Sequence, residues 1–412
     1  MKTVVFGSCN IDLVYSVDHI VTPGETIAAG SVERHPGGKG LNQAIALSRA
    51  GSETYFCGCI GYDGKFLTDL LDVNGADVTL VKQTDKGTGQ AFIQVAPNGE
   101  NSIVIYHGAN YDVDREYVES VLSHFHEGDL LVLQNEISSL RYIIDRAYSK
   151  KIRIALNPSP FDDNVKGIDL RKITYLILNE VEASYYCGSD DERDAAEYFK
   201  KEYPHLRVVL TLGKRGCVYI DKDNEIRSSA FSVEAVDTTA AGDTFTGYFL
   251  SQMTKGNDVR SSLKFANAAS ALAVSKEGAA PSIPYFSEVK KALPHLKEFS
   301  EDKEDSLLKK AEKYVEKAFP SPTLEGLAGE LGYSESYMAR LIKKLYGKPF
   351  SKVVIDKRVS VAAELLKTRL DMSVSDIIGH IGYNNENFFR KAFYAKYGMS
   401  PLEFRKKGTK DE

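Results

Sequence analysis

The amino-acid sequence predicts two domains of different class, an α/β domain with a mainly parallel sheet and a smaller all-helical domain after it. Over residues 1–298, short apolar runs alternate with helical periodicities, which is the pattern of a mainly parallel sheet. Residues 299–305 are polar and charged, as expected of a linker. Residues 306–412 show helical spacing of apolar residues without strand-like runs. A chain of 412 residues is also long enough for two or three domains.

The elements of the first domain can be placed from their apolar patterns. The expected strands are residues 3–6, 130–133, 152–156, 175–178, 208–212 and 217–220, and a further strand-like run covers 231–236. Helical spacing is expected at 42–50, 66–74, 140–150, 195–202 and 263–275. Because ligands of parallel sheets gather at the carboxyl ends of strands, we expect the functional residues at those ends.

Composition argues against several classes of protein. No apolar run approaches the ~18 residues of a membrane span, and residues 1–8 are typical of a strand and a turn rather than of a signal peptide. Five scattered cysteines argue against a disulfide framework and favour a reducing cytoplasm. Cys57 and Cys59 lack a second pair at metal-ligand spacing, so we expect them to be core residues.

The charge is distributed unevenly along the chain. From residue 320 to the end there are 16 basic and 11 acidic residues, whereas residues 1–319 hold 36 basic and 46 acidic residues. A basic end on an acidic body suggests an anionic partner for the helical domain. A solvated basic helix face would give the same count.

The stretch DTTAAGDTFTG at residues 237–247 is the most informative of the first domain. Its small residues let an anion approach the backbone, and the free N–H groups at the start of the following helix would bind that anion. Asp243 lies at the same helix start, so an anion site and a potential base are a few residues apart. Alone, the stretch is equally typical of an ordinary strand-to-helix turn capped by Asp243.

Two polar stretches near the beginning have the chemistry of a ligand site. Asn10 and Asp12 are two residues apart in an extended segment, so their side chains point the same way and suit a polyol. The sequence GGKGLNQA at 37–44 opens a helix, and it is not a Walker A loop because no Ser or Thr follows Lys39. Lys39 and Asn42 offer polar groups to a ligand, although glycine before a helix is common.

Further polar residues follow other expected strands. Glu136 comes shortly after one strand, and Asn157 ends the next. Asn179 and Glu182 follow the strand after that, where an amide and an acid could hold a hydrated Mg²⁺ through water. The same spacing is otherwise a helix start with an acidic first turn. The turn at 211–216 has two interpretations: it could bind a nucleotide, or it could be a simple hairpin.

The order and spacing of these stretches over residues 1–298 resemble the ribokinase-like (PfkB) family of sugar kinases. The early glycine stretch and the stretch at 237–243 look like the two signatures of that family, and Gly108-Ala109-Asn110 matches its ribokinase branch. The resemblance implies a three-layer α/β core with a small β lid. It also implies ATP-dependent phosphorylation of a sugar hydroxyl, with D-ribose giving ribose 5-phosphate as the first expectation.

Carried over residue by residue, the resemblance implies roles for most of these positions. Asp243 would be the catalytic base, beside an anion hole at Ala240, Ala241 and Gly242. Sugar hydroxyls would contact Asn10, Asp12, Gly38, Lys39, Asn42, Glu136 and Asp243. ATP would contact Asn179, Thr211, Gly213, Gly216, Gly242 and Asn267. Glu182 would hold Mg²⁺ through water, and K⁺ would be bound at Asp237, Thr239, Ala273, Lys276, Gly278 and Ser282.

The helical domain contains an internal repeat. The sequence LGYS at 331–334 matches IGYN at 381–384, and in both copies a helix, a glycine-containing turn and a basic helix follow one another. This is the pattern of a helix-turn-helix motif, present twice. For either copy alone, a plain helical bundle is the alternative. Ser373 and Asp376 have the spacing of a capping pair and predict a helix start there.

Two such copies joined by a long helix, over residues 306–407, resemble the AraC/XylS-type DNA-binding domain. The resemblance implies double-stranded DNA as a partner, with the second helix of each repeat in a major groove and the two grooves one turn, ~34 Å, apart. The positions expected to face DNA are Ser336, Arg340, Lys343, Lys344, Asn387, Arg390 and Lys391. The residues expected to pack the core are Tyr337, Leu341, Phe388, Phe389 and Phe393.

Together the two resemblances predict a cytoplasmic sugar kinase, fused to a transcription regulator and using ATP, Mg²⁺ and K⁺. A homodimer is expected from the family, and no membrane association is expected. The alternative is a regulator whose kinase domain serves mainly as a sugar sensor, although the intact catalytic residues argue against a purely sensory role. Deoxyribose, another pentose, a ketohexose or a nucleoside could replace ribose.

Overall fold

A computed structural model of the protein divides into two compact units, residues 1–299 and 300–412. The structure describes residues 1–98, 100–299, 303–369, 371–383 and 385–408, and for residues 303–309, 344, 345, 407 and 408 it describes the backbone alone. Residues 300–302 of the expected linker lie outside this description. A helix already begins at Lys303, so the last three residues of the expected linker are helical.

The first unit alternates strands and helices along its length. Its described strands are β1 (Thr3–Phe6), β2 (Asn10–Ser16), β3 (Ser31–Gly37), β4 (Thr54–Cys57), β5 (Cys59–Ile60), β6 (Ala76–Asp77), β7 (Lys82–Gln83), β8 (Gly89–Val95), β9 (Asn101–Tyr106), β10 (Leu130–Gln134), β11 (Arg153–Asn157), β12 (Tyr175–Asn179), β13 (Arg207–Thr211), β14 (Cys217–Ile220) and β15 (Glu225–Ser228). Its described α-helices are α1 (Lys39–Arg49), α2 (Lys65–Val73), α3 (Arg115–Leu122), α4 (Leu140–Ser149), α5 (Asp163–Lys166), α6 (Glu180–Cys187), α7 (Glu192–Glu202), α8 (Ala241–Thr254), α9 (Val259–Val274) and α10 (Phe286–Ala292).

Nine of these strands form one sheet in the order β15-β14-β13-β12-β11-β10-β1-β4-β6. All neighbours from β13 to β6 are parallel, and β14 and β15 continue the sheet antiparallel. The parallel register aligns Gln134 with Asn157, and Asn179 with Thr211. Four polar residues from four strands therefore reach the same carboxyl edge of the sheet.

Helices cover both faces of this sheet, which gives the three-layer arrangement that the resemblance implied. Successive strand residues point to opposite faces, so Val4 and Phe6 pack with α3, α4, α6 and α7, while Val5 packs with α1, α2, α8 and α9. Cys57 and Cys59 are buried, as expected of core residues. A separate four-stranded sheet, in the order β3-β2-β8-β9, forms the small lid.

The apolar patterns located most of these elements correctly. All six expected strands of the large sheet form, with ends shifted by at most one residue, and the five expected helices form with starts up to four residues earlier. No strand forms at residues 231–236, so this prediction is wrong. Phe231 makes only an isolated bridge to Glu298, and the N–H of Val236 donates to the carbonyl of Val274 at the end of α9. Within the described ranges, no strand lies beside this segment with which it could form a ladder.

The second unit is helical in its described part, as expected. Its helices are α11 (Lys303–Lys317), α12 (Leu324–Leu331), α13 (Glu335–Tyr346), α14 (Phe350–Thr368), α15 (Val374–His380), α16 (Glu386–Tyr397) and α17 (Pro401–Gly408). The first part of α14 packs with α11, α12 and α13, and its second part packs with α15, α16 and α17. This unit therefore has two small cores joined by one long helix.

The two halves repeat the same turn. Gly332 ends α12 with φ 73°, and Gly382 follows α15 with φ 75°, so both copies use the left-handed conformation that glycine adopts at little cost. Ser373 and Asp376 form the predicted capping box at the start of α15. Asn384 of the second repeat lies outside the described residues. Across the described ranges, no helix has both the length and the apolar character needed to cross a membrane.

Candidate functional site

A cavity of about 200 Å³ lies at the carboxyl edge of the large sheet. It brings together residues from five places in the sequence that were singled out separately. The polar groups and backbone that line it include Lys39, Asn157, Ser159, Asn179, Glu182, Thr211, Thr238, Ala240, Ala241, Gly242, Asp243 and Thr246. The expected base, the expected anion hole and four of the expected ligand-binding side chains, those of Lys39, Asn179, Glu182 and Thr211, therefore face one space.

Asp243 lies in the first turn of α8, as expected. Ala240 at the N-cap has φ 60°, which is a strained conformation for a residue with a Cβ and is often found at functional sites. A Cβ built on Gly242 would meet no atom within 4 Å, so the helix start opens onto free space. The Asp243 carboxylate is buried and accepts hydrogen bonds from Asn42 Nδ2 at 3.3 Å and Gln43 Nε2 at 2.9 Å.

A directed chain of amides fixes the orientation of this carboxylate. Gln134 Nε2 donates to Gln43 Oε1 at 2.7 Å, so the amide nitrogen of Gln43 must face Asp243 and Asn157 Oδ1. Asn157 in turn donates from Nδ2 to the carbonyl of Ile177. Sequence reasoning did not assign Gln43 and Gln134 to the site. The sequence signal that could have identified them is their position beside expected site residues. Gln43 directly follows Asn42, and Gln134 lies two positions before Glu136.

Lys39 supplies a positive charge to the same cavity. The Asp243 carboxylate raises the pKa of the Lys39 ammonium above its usual value, burial opposes this increase, and Glu136 and Glu182 raise the pKa further. The ammonium therefore stays charged between three carboxylates. Such a group can stabilise negative charge that develops on a transferred phosphoryl group.

The expected sugar-binding side chains lie where the lid meets the core. Glu136 is buried and accepts a hydrogen bond from the Ser8 hydroxyl and another from the N–H of Lys39 at 3.0 Å. Burial, and then the Glu136 carboxylate, raise the pKa of Asp12 to about 7. Gly37 on the neighbouring strand leaves room for Asp12, because a Cβ there would lie 2.1 Å from Asp12 Oδ2.

Asn10 is held by Asn110, a residue of the expected Gly108-Ala109-Asn110 stretch. Asn110 Nδ2 donates to Asn10 Oδ1 at 2.7 Å, while Asn110 Oδ1 accepts the N–H of Cys9 at 3.1 Å. A Cβ on Gly89 would lie 2.2 Å from Asn110 Nδ2, so β8 needs a glycine at this crossing. Among the described residues no hydrogen bond from the Asn10 amide nitrogen is found, so this nitrogen is available to a ligand.

The residues expected to contact ATP separate into two groups. Asn179, Thr211 and Gly242 line the cavity, whereas Gly213, Gly216 and Asn267 do not. Asn267 donates from Nδ2 to the carbonyls of Ser228 and Ser229, and a Cβ on Gly216 would lie 2.1 Å from the Ser228 carbonyl oxygen. In this structure these two residues hold β14 against the end of β15.

The residues expected at metal sites have suitable donors. Asn179 and Glu182 form a capping box, so these residues do open a helix, as the alternative interpretation expected. Only one carboxylate oxygen of Glu182 takes part in the capping box, and Glu182 also lines the cavity. A hydrated Mg²⁺ is typically held by one or two carboxylates together with substrate phosphates, and Glu182 fits that role. No cluster of three His, Cys, Asp or Glu side chains suited to a metal occurs in the described residues.

The residues expected around K⁺ come from two segments that Asp237 joins. Asp237 Oδ1 accepts the N–H of Thr239 at 2.8 Å, and Oδ2 accepts the N–H of Gly278 at 2.9 Å. Burial raises the pKa of Asp237, but the hydrogen bonds from Thr239 and Gly278 outweigh it and keep the pKa low. Ser282 donates to the Ala279 carbonyl, and Lys276 pairs with Glu288. A carboxylate and loop carbonyls are suitable donors for a monovalent cation, with Lys276 and Ala273 offering backbone carbonyls only.

In the second unit, α13 and α16 are the second helices of the two helix-turn-helix motifs. Ser336, Arg340, Lys343, Asn387 and Lys391 are exposed, and Arg390 is half-buried and paired with Glu386. The side chain of Lys344 lies outside the described residues.

Two core assignments in these helices are wrong. Phe388 is 51% exposed and Tyr337 is 37% exposed. Each lies one position before a buried residue of its helix. The buried residues are Met338, Leu341 and Ile342 in α13, and Phe389 and Phe393 in α16.

Comparison with known proteins gives two family matches. Residues 1–285 match the pfkB family of carbohydrate kinases, and residues 327–407 match a helix-turn-helix domain. A ribokinase of Staphylococcus aureus (strain COL) is 35% identical over 300 residues, which are 70% of this chain and 98% of that protein.

Solved structures give the same result for the first unit. The Arabidopsis thaliana ribokinase complexed with ribose and ATP is 30% identical, with a TM-score of 0.64, over 73% of this chain and 99% of that one. A Cryptococcus neoformans var. grubii serotype A ribokinase in complex with ADP is 31% identical, with a TM-score of 0.62, over 70% and 99%.

Proposed function

The chain belongs to the pfkB family of carbohydrate kinases, and on this premise we propose that it phosphorylates D-ribose with ATP to give ribose 5-phosphate. The observation that carries the proposal is the position of Asp243, whose buried carboxylate faces the Lys39 side of the cavity and is oriented by Asn42 and Gln43. The relatives named ribokinase, and the structure of one with ribose and ATP, support the substrate.

In the proposed reaction Asp243 accepts the proton of the attacking sugar hydroxyl. A bond forms between that oxygen and the γ-phosphorus of ATP, and the bond from this phosphorus to the bridging oxygen of ADP breaks. Lys39 and the backbone N–H groups of the proposed anion hole at Ala240, Ala241 and Gly242 stabilise the negative charge of the transferred group. Mg²⁺ bound with ATP would neutralise phosphate charge, with Glu182 as its ligand through water, and K⁺ would bind near Asp237.

Asn10, Asp12, Asn42 and Glu136 are proposed to hold the sugar hydroxyls. Asn10 presents an amide whose orientation Asn110 fixes, and Asp12 and Glu136 present carboxylates from the lid and the core. Carboxylates are strong acceptors for hydroxyl groups only when they are ionised. The ATP contacts are proposed at Asn179, Thr211 and Gly242, with Gly213, Gly216 and Asn267 shaping the adjacent strands.

We also propose that the second unit binds double-stranded DNA and makes the protein a transcription regulator. Its two helix-turn-helix motifs, the basic excess of this part of the chain and the exposed basic residues of α13 and α16 support this role. A homodimer through the lid is proposed because its edge strand β9 carries four consecutive exposed apolar side chains at residues 103–106, and an exposed apolar edge strand favours pairing with another chain.

Coupled ADP release with the purified full-length chain tests the enzymatic proposal. The assay compares ribose, deoxyribose, other pentoses, ketohexoses and nucleosides, with Mg²⁺ or K⁺ omitted in parallel reactions. Turnover on ribose with a kcat/KM far above that for the other compounds is the expected result. If sugars bind without any turnover, the kinase domain is a sensor and the enzymatic proposal is wrong.

Sugar binding should weaken below neutral pH because of Asp12. Its pKa of about 7 means that the carboxylate becomes protonated as the pH falls through this value. The protonated form is a weaker acceptor for sugar hydroxyls, so we expect kcat/KM for ribose to fall about tenfold for each pH unit well below the pKa. The measurement is kcat/KM between about pH 5.5 and 8.5.

The matched variant for this experiment is Asp12→Asn, which cannot titrate. We expect it to lower kcat/KM at high pH and to remove the acid limb that Asp12 causes. An unchanged acid limb in this variant would assign the titration to another group.

A further inference from the structure

Gln43 and Gln134 are polar side chains buried behind the proposed base. Gln43 lies in α1 and Gln134 ends β10, and both are almost completely buried. Neither is among the described residues that line the cavity. Any role that they have in this site is therefore exerted through another side chain. The hydrogen bonds of Gln43 lead to Asp243 and Asn157, which do line the cavity.

The direction of each hydrogen bond in this network is fixed by groups that can only accept. The backbone carbonyl of Ile177 accepts from Asn157 Nδ2, so Asn157 Oδ1 faces Gln43. The ionised carboxylate of Asp243 is likewise an acceptor only. Gln43 Nε2 therefore lies between two acceptors, 2.9 Å from Asp243 Oδ1 and 3.2 Å from Asn157 Oδ1. Its Oε1 then requires a donor, which is Gln134 Nε2 at 2.7 Å.

The amide of Gln134 carries a free-energy penalty, which indicates that its N–H group is needed. Its Oε1 is buried and has no hydrogen-bond partner in the described part of the chain. A buried carbonyl without a hydrogen bond is destabilising, and an apolar side chain of similar size would avoid that loss. A Cβ on Gly7 would lie 2.3 Å from the same oxygen, so a glycine after β1 is required to leave room for this amide.

We propose that Gln134 and Gln43 are positioning residues for the phosphoryl transfer, and that they hold the Asp243 carboxylate in one rotational orientation. The inference rests on the proposed kinase activity, whichever sugar is the substrate. Two neighbouring residues of α1 each donate to one carboxylate oxygen, Asn42 to Oδ2 and Gln43 to Oδ1. These two bonds fix the direction of the lone pairs that stay open on the carboxylate. A base must be aligned with the hydroxyl proton to accept it.

A double-mutant cycle of kcat in the full-length chain tests this inference. Gln43→Met keeps the side-chain length and removes both donor and acceptor, so we expect kcat to fall about 10–100-fold through loss of alignment. Gln134→Met should lower kcat about tenfold or less, because Gln43 then lacks the donor that holds its Oε1. In a chain that already carries Gln43→Met, adding Gln134→Met should change kcat by less than about twofold, because Gln134 acts only through Gln43. The KM for sugar and for ATP should stay within about threefold, since neither side chain lines the cavity.

Gln134→Glu adds a readout that packing alone would not change. The new carboxyl group can donate to Gln43 Oε1 while it is protonated, but once ionised it can only accept and opposes the direction of the network. Burial raises the pKa of a carboxyl group, so we expect the ratio of variant to wild-type kcat to fall about tenfold between about pH 6 and 8.5. This ratio cancels the titration of the charged groups that both proteins share, which in this site are Asp12, Lys39, Glu136, Glu182 and Asp243.

Gln252→Met is the matched control, and its kcat should stay within about twofold of wild type. Gln252 is also a buried glutamine of α8, but it lies in the last turn and accepts from Asn257 Nδ2. Additive effects in the cycle would overturn the positioning role, and so would a ratio for Gln134→Glu that does not depend on pH, while the kinase proposal stands in both cases. If Gln134→Glu does not fold, the cycle alone decides. If the wild type turns over no sugar, the kinase proposal fails and this inference fails with it.

Discussion

Asp243→Asn is expected to lower kcat by about 10²–10⁴-fold while the KM for sugar and for ATP changes little. The substitution removes the only carboxylate placed in the first turn of α8 and keeps the shape of the side chain. The new amide would present a nitrogen where Asp243 now accepts from Asn42 and Gln43. Asn42 can adapt by flipping its own amide, because its Oδ1 is buried and without a partner in the described residues. Sugar binding should therefore survive.

The measurement is steady-state kinetics of ADP release together with direct titration of sugar and nucleotide. Glu136→Gln is the informative comparison. It removes a charge from the sugar contacts and leaves the proposed base in place, so it should raise the KM for sugar more than it lowers kcat. Turnover of Asp243→Asn within threefold of wild type would remove Asp243 from the role of base.

DNA binding by the full-length chain is expected to depend steeply on salt. If α13, α16 and the residues around them contact ~6–10 phosphates, the affinity should fall ~10³–10⁵-fold between about 50 and 200 mM monovalent salt, because bound counterions are released on association. Fluorescence anisotropy with a labelled duplex over this range gives the slope of log K against log salt. A slope near zero would exclude a phosphate-dominated interface.

Matched lysine variants locate this effect on the molecule. Lys391 is exposed on α16, and Lys391→Gln should lower the slope by about one if it contacts a phosphate. Lys65 is exposed on α2 of the first unit, where it pairs with Asp69, and Lys65→Gln makes the same change of charge outside the second unit. Equal effects of the two substitutions would indicate that net charge, and not a defined interface, governs the binding.

Much of this protein can be inferred from its sequence because its signals are local. The six strands of the large sheet are short apolar runs whose ends were placed to within one residue. Asp243, Lys39 and Glu182 belong to stretches that mark helix starts or strand ends, and the tertiary structure brings all three to one cavity. The repeat at 331–334 and 381–384 identified both helix-turn-helix motifs, since each needs the same left-handed glycine.

A local sequence pattern does not predict the structure of a segment or the burial of a side chain when these depend on which distant segment packs against it. Residues 231–236 have the composition of a strand, yet among the described residues they form only an isolated bridge, between Phe231 and Glu298. Phe388 is as apolar as Phe389, but a rotation of one residue around α16 places it on the surface instead of in the core.

Residues close together in the chain are enough to predict the two domain classes, the likeness to sugar kinases, the proposed base and the helix-turn-helix motifs. The orientation of the proposed base, and the segments that enclose it, follow from tertiary packing alone. The amide of Gln43 reaches Asp243 across 200 residues and is itself oriented by Gln134 across 91. The cavity likewise exists only where five separate segments of the chain meet at the carboxyl edge of the large sheet. Hydrogen-bond direction and concave shape arise from packing between distant segments, and no periodicity in the chain encodes them.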